Sequence, residues 1–284
     1  MAPSLSEAWA AFLQERSISL SPSSLVTDYA QVTKWLKRCP VQDLEQGKQV
    51  LIWTLQQQPV KSSRRVCMFV RAMYKWASSE DVAILARNPV ANFRMPKAPQ
   101  SDREITVITK PELTLIMIAL KSKGHHRKSD WSLFAEFMLQ TGMRTGEVRA
   151  LKWTDLEENR VLVHSNYTLT HGHKNSTKTN KKRWVPLNKA AKDILEQLDK
   201  TSEYLFPWNR YAFQSYFRDK VDQLYAAGLI KGRYRPYDLR HVAISRWLEA
   251  GIPVTQAASW AGNTSEVIWK HYAGSTTEYE VPVL

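Results

Sequence analysis

Residues 94–104, RMPKAPQSDRE, constrain the fold more than any other stretch of the chain. Two prolines remove amide donors and fix backbone angles, and charges of both signs alternate without an apolar period, so neither helix nor strand can run through. The chain is therefore expected to fold as two bodies, residues 1–96 and 105–284, joined by a linker at 97–104. With 284 residues, 43% of them hydrophobic, each body has material for its own core.

The first body reads as all helix. Ser4 and Glu7 have the spacing of a capping box ahead of Ala8, Trp9, Phe12 and Leu13. Ser21 and Pro22 open a second helix along which Leu25, Tyr29, Val32 and Leu36 align. Residues 44–57 read as a third helix, interrupted by Gly47, and Pro59 precedes a fourth. In that fourth helix Val66, Phe69, Val70, Met73 and Trp76 form the stripe expected to be buried. Its other face carries Lys61, Arg64, Arg65, Arg71 and Lys75, with no acidic residue between 61 and 79. A charge run is commonly a solvated face, but charge of a single sign suits phosphate contact as well.

The second body reads as mixed, mostly helical with one small β-ribbon. Thr109 and Glu112 frame its first helix, and a basic loop, KSKGHHRKSD, follows. His125 and His126 in that loop lack the spacing and carboxylate partners of a metal site, so no metal is expected. A helix over 131–140 stops at Gly142, and in TGMRTGEVRALKW Arg144 starts a short helix with Glu147 one turn on. Amides at a helix start favour an anion. Residues 160–167 and 183–187 alternate as strands around a polar loop, with Lys178 near the turn in TKTNKKRWVPL beside Lys181, Lys182 and Arg183. On pattern alone those lysines read as solvated. Amphipathic helices are expected around 188–199, 210–226 and 237–250.

Residues 236–274 then place Arg240 just inside one helix and Tyr272 at the end of another, with Gly251, Pro253 and Gly262 as punctuation. A guanidinium and a phenol brought to one point suit phosphodiester cleavage, one neutralising charge and the other attacking. A surface ion pair and a half-buried aromatic would account for the two residues equally well. Composition bears on that choice: a net charge of +13 points to a polyanionic partner, nucleic acid first and an anionic membrane surface second. No apolar run approaches a bilayer span, the N-terminus is unlike a signal peptide, and Cys39 and Cys67 are too few for a disulfide framework. The expected location is cytoplasmic, on DNA, and not at a membrane.

Four segments, TGMRTGEVRAL, TKTNKKRWVPL, DLRH and AGNTSEVIWKHYAG, resemble in order and spacing the tyrosine recombinases of the phage integrase family. The resemblance covers the second body closely and the first, as a core-binding domain, more loosely. It implies that Tyr272 is the nucleophile forming a 3′-phosphotyrosine, that Arg144 and Arg240 clamp the scissile phosphate, and that Lys178 is the general acid. Glu147 and His241 would support them. Lys61, Arg64, Arg65, Arg71, Lys75, Lys181 and Lys182 would contact DNA. Tyr237 and Asn263 stand where most members carry histidine, or histidine or tryptophan, which leaves the nucleophile's base open.

The implied partners are double-stranded DNA and three further copies of the chain, a tetramer on DNA that is monomeric or dimeric when free, with accessory DNA-bending or directionality factors possible. No cofactor is implied. The apolar tail Val281, Pro282, Val283, Leu284 is a hint of contact between protomers, or of packing on its own domain. The chain starts directly with core-binding helices, which implies action at simple sites or a truncated protein. The expected job is integration or excision of a mobile element. The rivals are a non-catalytic DNA-binding protein on the same fold and a type IB topoisomerase.

Overall fold

The computed structural model describes residues 3–57, 59–97, 108–121, 130–168, 172–174, 181–208 and 212–272, with backbone alone at 60, 61, 212, 271 and 272. The chain divides into two compact units, Met1–Gln100 and Ser101–Leu284.

The first unit is helical because each apolar stripe finds another to cover it. Helix α1 (Leu5–Ser17) starts at a true capping box: the Ser4 hydroxyl accepts from the Glu7 amide, and the Glu7 carboxylate accepts from the Ser4 amide at 2.7 Å. It buries Leu5, Ala8, Trp9 and Phe12. Next, α2 (Pro22–Ser24), a π turn (Leu25–Tyr29) and α3 (Ala30–Leu36) run on as one helical path. The π turn was not legible in the sequence, where the apolar spacing is ordinary. Tyr29 stacks on Trp9 with ring centroids 5.7 Å apart, and the Trp9 indole donates to Thr33 Oγ1 at 2.8 Å, so a buried donor is satisfied.

Helix α4 (Gly47–Gln56) follows a 3₁₀ turn (Leu44–Gln46), and here the sequence reading needs correction. Gly47 does not interrupt a helix; it begins one. A Cβ there would lie 2.9 Å from Pro89 Cγ and from Val90 Cγ1 and 3.0 Å from the Tyr74 ring. The glycine lets the backbone approach its neighbours closely. Helix α5 (Val60–Ala77) closes the unit, burying Val66, Cys67, Val70, Met73, Tyr74 and Ala77. Phe69 and Trp76, at the edges of the stripe, are only partly covered.

Among its described residues the second unit has α6 (Lys110–Leu120), α7 (Trp131–Thr141) and α8 (Thr145–Ala150), a strand region, then five more helices. β1 (Leu156–Glu157), β2 (Arg160–Val163) and β5 (Arg183–Pro186) form an antiparallel sheet in the order β1-β2-β5. β3 (Asn166–Thr168) and β4 (Gly172–Lys174) pair separately, Tyr167 opposite His173. The expected single ribbon is thus two ladders. Helices α9 (Lys189–Glu196), α10 (Ala212–Ala226), α11 (Pro236–Glu249), α12 (Val254–Ala261) and α13 (Ser265–Tyr272) complete it.

Aromatic rings fill the core of this unit: Phe134 lies 4.5 Å from Phe213 and 5.1 Å from Phe206, centroid to centroid. Each such ring buried contributes roughly 1.5–3 kcal/mol. Helix α6 is also fastened by charge. Glu112 closes the capping box with Thr109 and accepts from the Lys231 amide at 2.7 Å and the Tyr234 hydroxyl at 2.9 Å. Burial pushes its carboxyl up, but the hydrogen bonds from Lys231, Thr109 and Tyr234 outweigh that and hold its pKa at about 2. No described helix is long and apolar enough to cross a membrane.

Candidate active site

Three arginines far apart in sequence come together around one buried carboxylate. Helix α7 ends at Gly142 in a left-handed turn, which delivers Arg144 to the N-cap position of α8 and puts Glu147 at its third residue. Glu147 accepts from the Arg144 amide and from Arg144 Nη1, both at 2.9 Å. The helix start therefore already has its anion, supplied by the protein itself. From the other side Arg183, on β5, donates Nη1 to one carboxylate oxygen at 3.1 Å and Nη2 to the other at 2.7 Å. This two-pronged pairing is the strongest geometry a guanidinium and a carboxylate can adopt. Burial pushes the Glu147 carboxyl up, yet the hydrogen bond and charge of Arg183, then the charge of Arg144, hold it below the ordinary value.

Four consecutive residues at the C-terminus of α12 accept further hydrogen bonds from these arginines. Arg183 Nε donates to Trp260 O at 2.8 Å, and Arg240 Nη2 donates to Ala261 O at 2.6 Å. Arg144 Nη2 donates to Gly262 O at 3.2 Å and to Asn263 Oδ1 at 2.9 Å. Carbonyls at a helix end have no partner within the helix and carry partial negative charge, so cations are favoured there. Gly262 has φ 64°, and a Cβ would sit 2.9 Å from Arg183 Nη1. The residue must both turn left-handed and leave room for the guanidinium, and glycine alone meets both needs.

Arg240 is the most enclosed of the three, at 1% exposure, while the Arg144 side chain keeps 21%. Its Nη1 donates to Gly142 O at 2.7 Å, and its Nε, also buried, has no partner among the described residues. Burial first, then the positive charge of Arg144, holds its pKa below the ordinary guanidinium value. Three guanidiniums against one carboxylate leave the cluster with two positive charges in excess. An arrangement of this kind can hold an anion at its open side, beside Arg144.

The other candidate residues distribute as follows. Asn263 offers its carbonyl oxygen to Arg144, so here it anchors that arginine. Tyr237 is 42% exposed near the start of α11, and its ring stands edge-on to His241 with centroids 5.0 Å apart. Lys181 and Lys182 are exposed ahead of β5. Tyr272 ends α13, which starts two residues after Asn263, with Thr264 Oγ1 accepting the Val267 amide at 3.3 Å and Ile268 buried against α12. Its side chain, and all of Lys178, His125 and His126, lie outside the described residues.

On α5 the basic residues do not form a uniform set. Arg65 forms an ion pair with Asp28, and Arg64 donates to the Pro96 carbonyl. No carboxylate pairs with Arg71 or Lys75 among the described residues, and the Lys61 side chain lies outside them. Sequence reasoning missed Arg183, taking it as one more cation in the run KKR. The signal available was strand alternation: Arg183 shares a face with Val185, which is fully buried.

Comparison with known proteins accords with this geometry. The model of the phage integrase family matches residues 106–278, more than half of the chain. The shufflon-specific DNA recombinase of Escherichia coli is 29% identical over 192 residues, which make up 65% of this chain and 44% of that protein, so the match spans under half of that relative. The tyrosine recombinase XerC of Pediococcus pentosaceus is 24% identical over 231 residues, 76% of this chain and 71% of its own. Among solved structures, the Tn1549 transposon integrase in complex with transposon right end DNA superposes with a TM-score of 0.77 at 14% identity, covering 95% of this chain and 94% of that one. A lambda integrase tetramer bound to a Holliday junction gives 0.71 at 20% identity, covering 94% and 79%. At these identities the likeness to the solved structures is one of fold. With a family match of that length in sequence, the chain belongs to the phage integrase family of tyrosine recombinases.

Proposed function

We propose that the protein breaks and rejoins duplex DNA at specific sites through a phosphotyrosine intermediate. The observation that carries this reading is the cluster of Arg144, Arg183 and Arg240 held by Glu147 and the C-terminus of α12, in the element that leads directly into the helix ending at Tyr272. The cluster's excess charge matches a phosphodiester, whose non-bridging oxygens gain charge as the attacking oxygen approaches.

In this reading Arg144 and Arg240 hold those oxygens, and Arg183 acts through Glu147 to keep Arg144 in place. The Tyr272 hydroxyl oxygen attacks phosphorus in line, its proton leaving to solvent, and the bond from phosphorus to the 5′ oxygen breaks. Lys178 gives its proton to that oxygen, because an alkoxide leaves poorly. The product is a 3′-phosphotyrosine and a free 5′-hydroxyl. A 5′-hydroxyl from a second strand then attacks the phosphotyrosine, releasing Tyr272. The ester conserves the bond energy, so the exchange consumes no nucleotide.

Four copies acting on two duplexes would exchange strands in pairs, and the relatives' assemblies on DNA support that arrangement. The biological role that fits is movement of a mobile element, as the transposon integrase whose fold it shares suggests. The test is covalent trapping on nicked duplexes carrying candidate sites. A denaturation-resistant adduct whose mass maps to the peptide holding Tyr272, absent in Tyr272→Phe, is the expected result. Duplex binding with no adduct from the unsubstituted protein would instead favour a DNA-binding protein without cleavage.

A further inference from the structure

The outer face of α5 carries a pattern that charge alone does not explain. Residues 68, 71, 72 and 75 are spaced as one helical face, and Met68, one turn before Arg71 and Ala72, is 68% exposed at its N-terminal end. Ala72 and Lys75 are exposed as well, and Arg71 is half-buried beside them. The other two cations of known position are committed elsewhere, Arg65 to Asp28 and Arg64 to the Pro96 carbonyl. Met68, Arg71, Ala72 and Lys75 also form one wall of an open depression of about 460 Å³, with Asn88, Val90 and Ala91 opposite. The result is two apolar side chains set beside two cations that no carboxylate offsets among the described residues.

A singly exposed methionine is ordinary on a protein surface, but one a helical turn from unpaired cations on the same face has a specific complement. Positive charge selects the phosphates of a duplex, and a helix fits its major groove. Met68 and Ala72 have no strong hydrogen-bond donor or acceptor on their side chains, so they cannot read the polar edges of bases. The one apolar group displayed in the major groove is the C5-methyl of thymine. Methionine, unbranched and flexible, adapts its reach to such a contact. Along the helix axis positions 68 and 72 lie about 6 Å apart, close to two base steps of about 3.4 Å.

We propose that Met68 and Ala72 select thymines in the target site by contact with their methyl groups, while Arg71 and Lys75 hold the flanking phosphates. The proposal rests on the recombinase reading above and adds to it the residues that choose the site.

The experiment uses the full chain. Binding sites are selected from a randomised duplex pool, and dissociation constants are then measured for a selected duplex and for copies in which each thymine in turn is replaced by deoxyuridine, which removes only the methyl. For the unsubstituted protein one or two replacements are expected to weaken binding about fourfold, the worth of one buried methyl group. In Met68→Ala the penalty at one of those positions vanishes, and in Met68→Leu it remains. Because Met68 is exposed, neither change disturbs the core.

A consensus without an obligatory thymine, indifference to every deoxyuridine, or an unchanged penalty in Met68→Ala would overturn the proposal while leaving the recombinase reading intact. Absence of any salt-dependent duplex binding would overturn both.

Discussion

The open face of α5 and the arginine cluster among α8, β5, α11 and α12 carry the same sign of charge under opposite conditions. On α5 Lys75 is exposed and Arg71 half-buried, and neither has a carboxylate partner among the described residues. In the cluster Arg240 is almost wholly enclosed, and every guanidinium is spoken for by Glu147, by Asn263 or by carbonyls of α12 and Gly142. Solvated charge attracts over distance and is screened by salt, whereas buried charge is strong at short range and must be fixed in place. The contrast teaches a division of labour: α5 would hold the duplex, and the cluster would position one phosphate of it.

The largest expected effect comes from the buried side. Arg240→Gln should lower single-turnover adduct formation by about a thousandfold, the scale for losing a desolvated donor to the transition state. Duplex affinity should change less than about threefold. Parallel adduct kinetics and binding titrations check this, and an equal loss in both would erase the distinction between the regions.

Arg183→Gln leaves Glu147 with half its support. Removing one partner of a buried ion pair costs about 3 kcal/mol, and urea unfolding should show that loss. The companion Arg183→Gln, Glu147→Gln double variant should recover part of it, because no carboxylate is then stranded. A single variant as stable as the unsubstituted chain would mean that the pair is not the keystone it resembles.

A third prediction concerns pH. Glu112 has a folded pKa of about 2 against an ordinary 4.5, so it stabilises the fold fully above about 4.5 and loses that contribution as pH falls toward 2. The loss should be on the order of 3 kcal/mol. Unfolding curves across that range should be flatter in Glu112→Gln, and an unchanged slope would contradict the role assigned to its hydrogen bonds.

The smallest effects belong to α5. Arg71→Gln and Lys75→Gln should each weaken duplex binding about threefold and lower the salt slope by about one, leaving cleavage of bound DNA unchanged. Arg65→Gln, already paired with Asp28, should change binding less than about twofold. A larger effect at Arg65 than at Lys75 would show that Asp28 does not hold it on DNA.

Much of this was legible in the sequence where the determinant is local. The capping boxes at Ser4 and Thr109, the stop at Gly142 and the placement of Arg144 one turn before Glu147 all follow from neighbours within four residues. What escaped depends on long-range partners. Arg183 lies 36 residues from Glu147 and 77 from Trp260, and nothing in KKRW marks one cation as buried. Gly47 reads as a break because the close approach of Pro89 and Val90 is invisible locally. Asn263 reads only as the residue at a family histidine-or-tryptophan position, and its bond to Arg144 appears only once α12 and α8 are brought together.

The central claim is that the buried cluster positions a phosphate and does not supply the affinity for DNA. Glu147→Gln tests it most directly, since it keeps the shape of the side chain and removes the charge that holds Arg144 and Arg183. With protein saturating a cleavable nicked duplex, adduct formation should slow about a hundredfold while the dissociation constant stays within about threefold. Affinity falling in step with rate, or neither changing, would contradict the account.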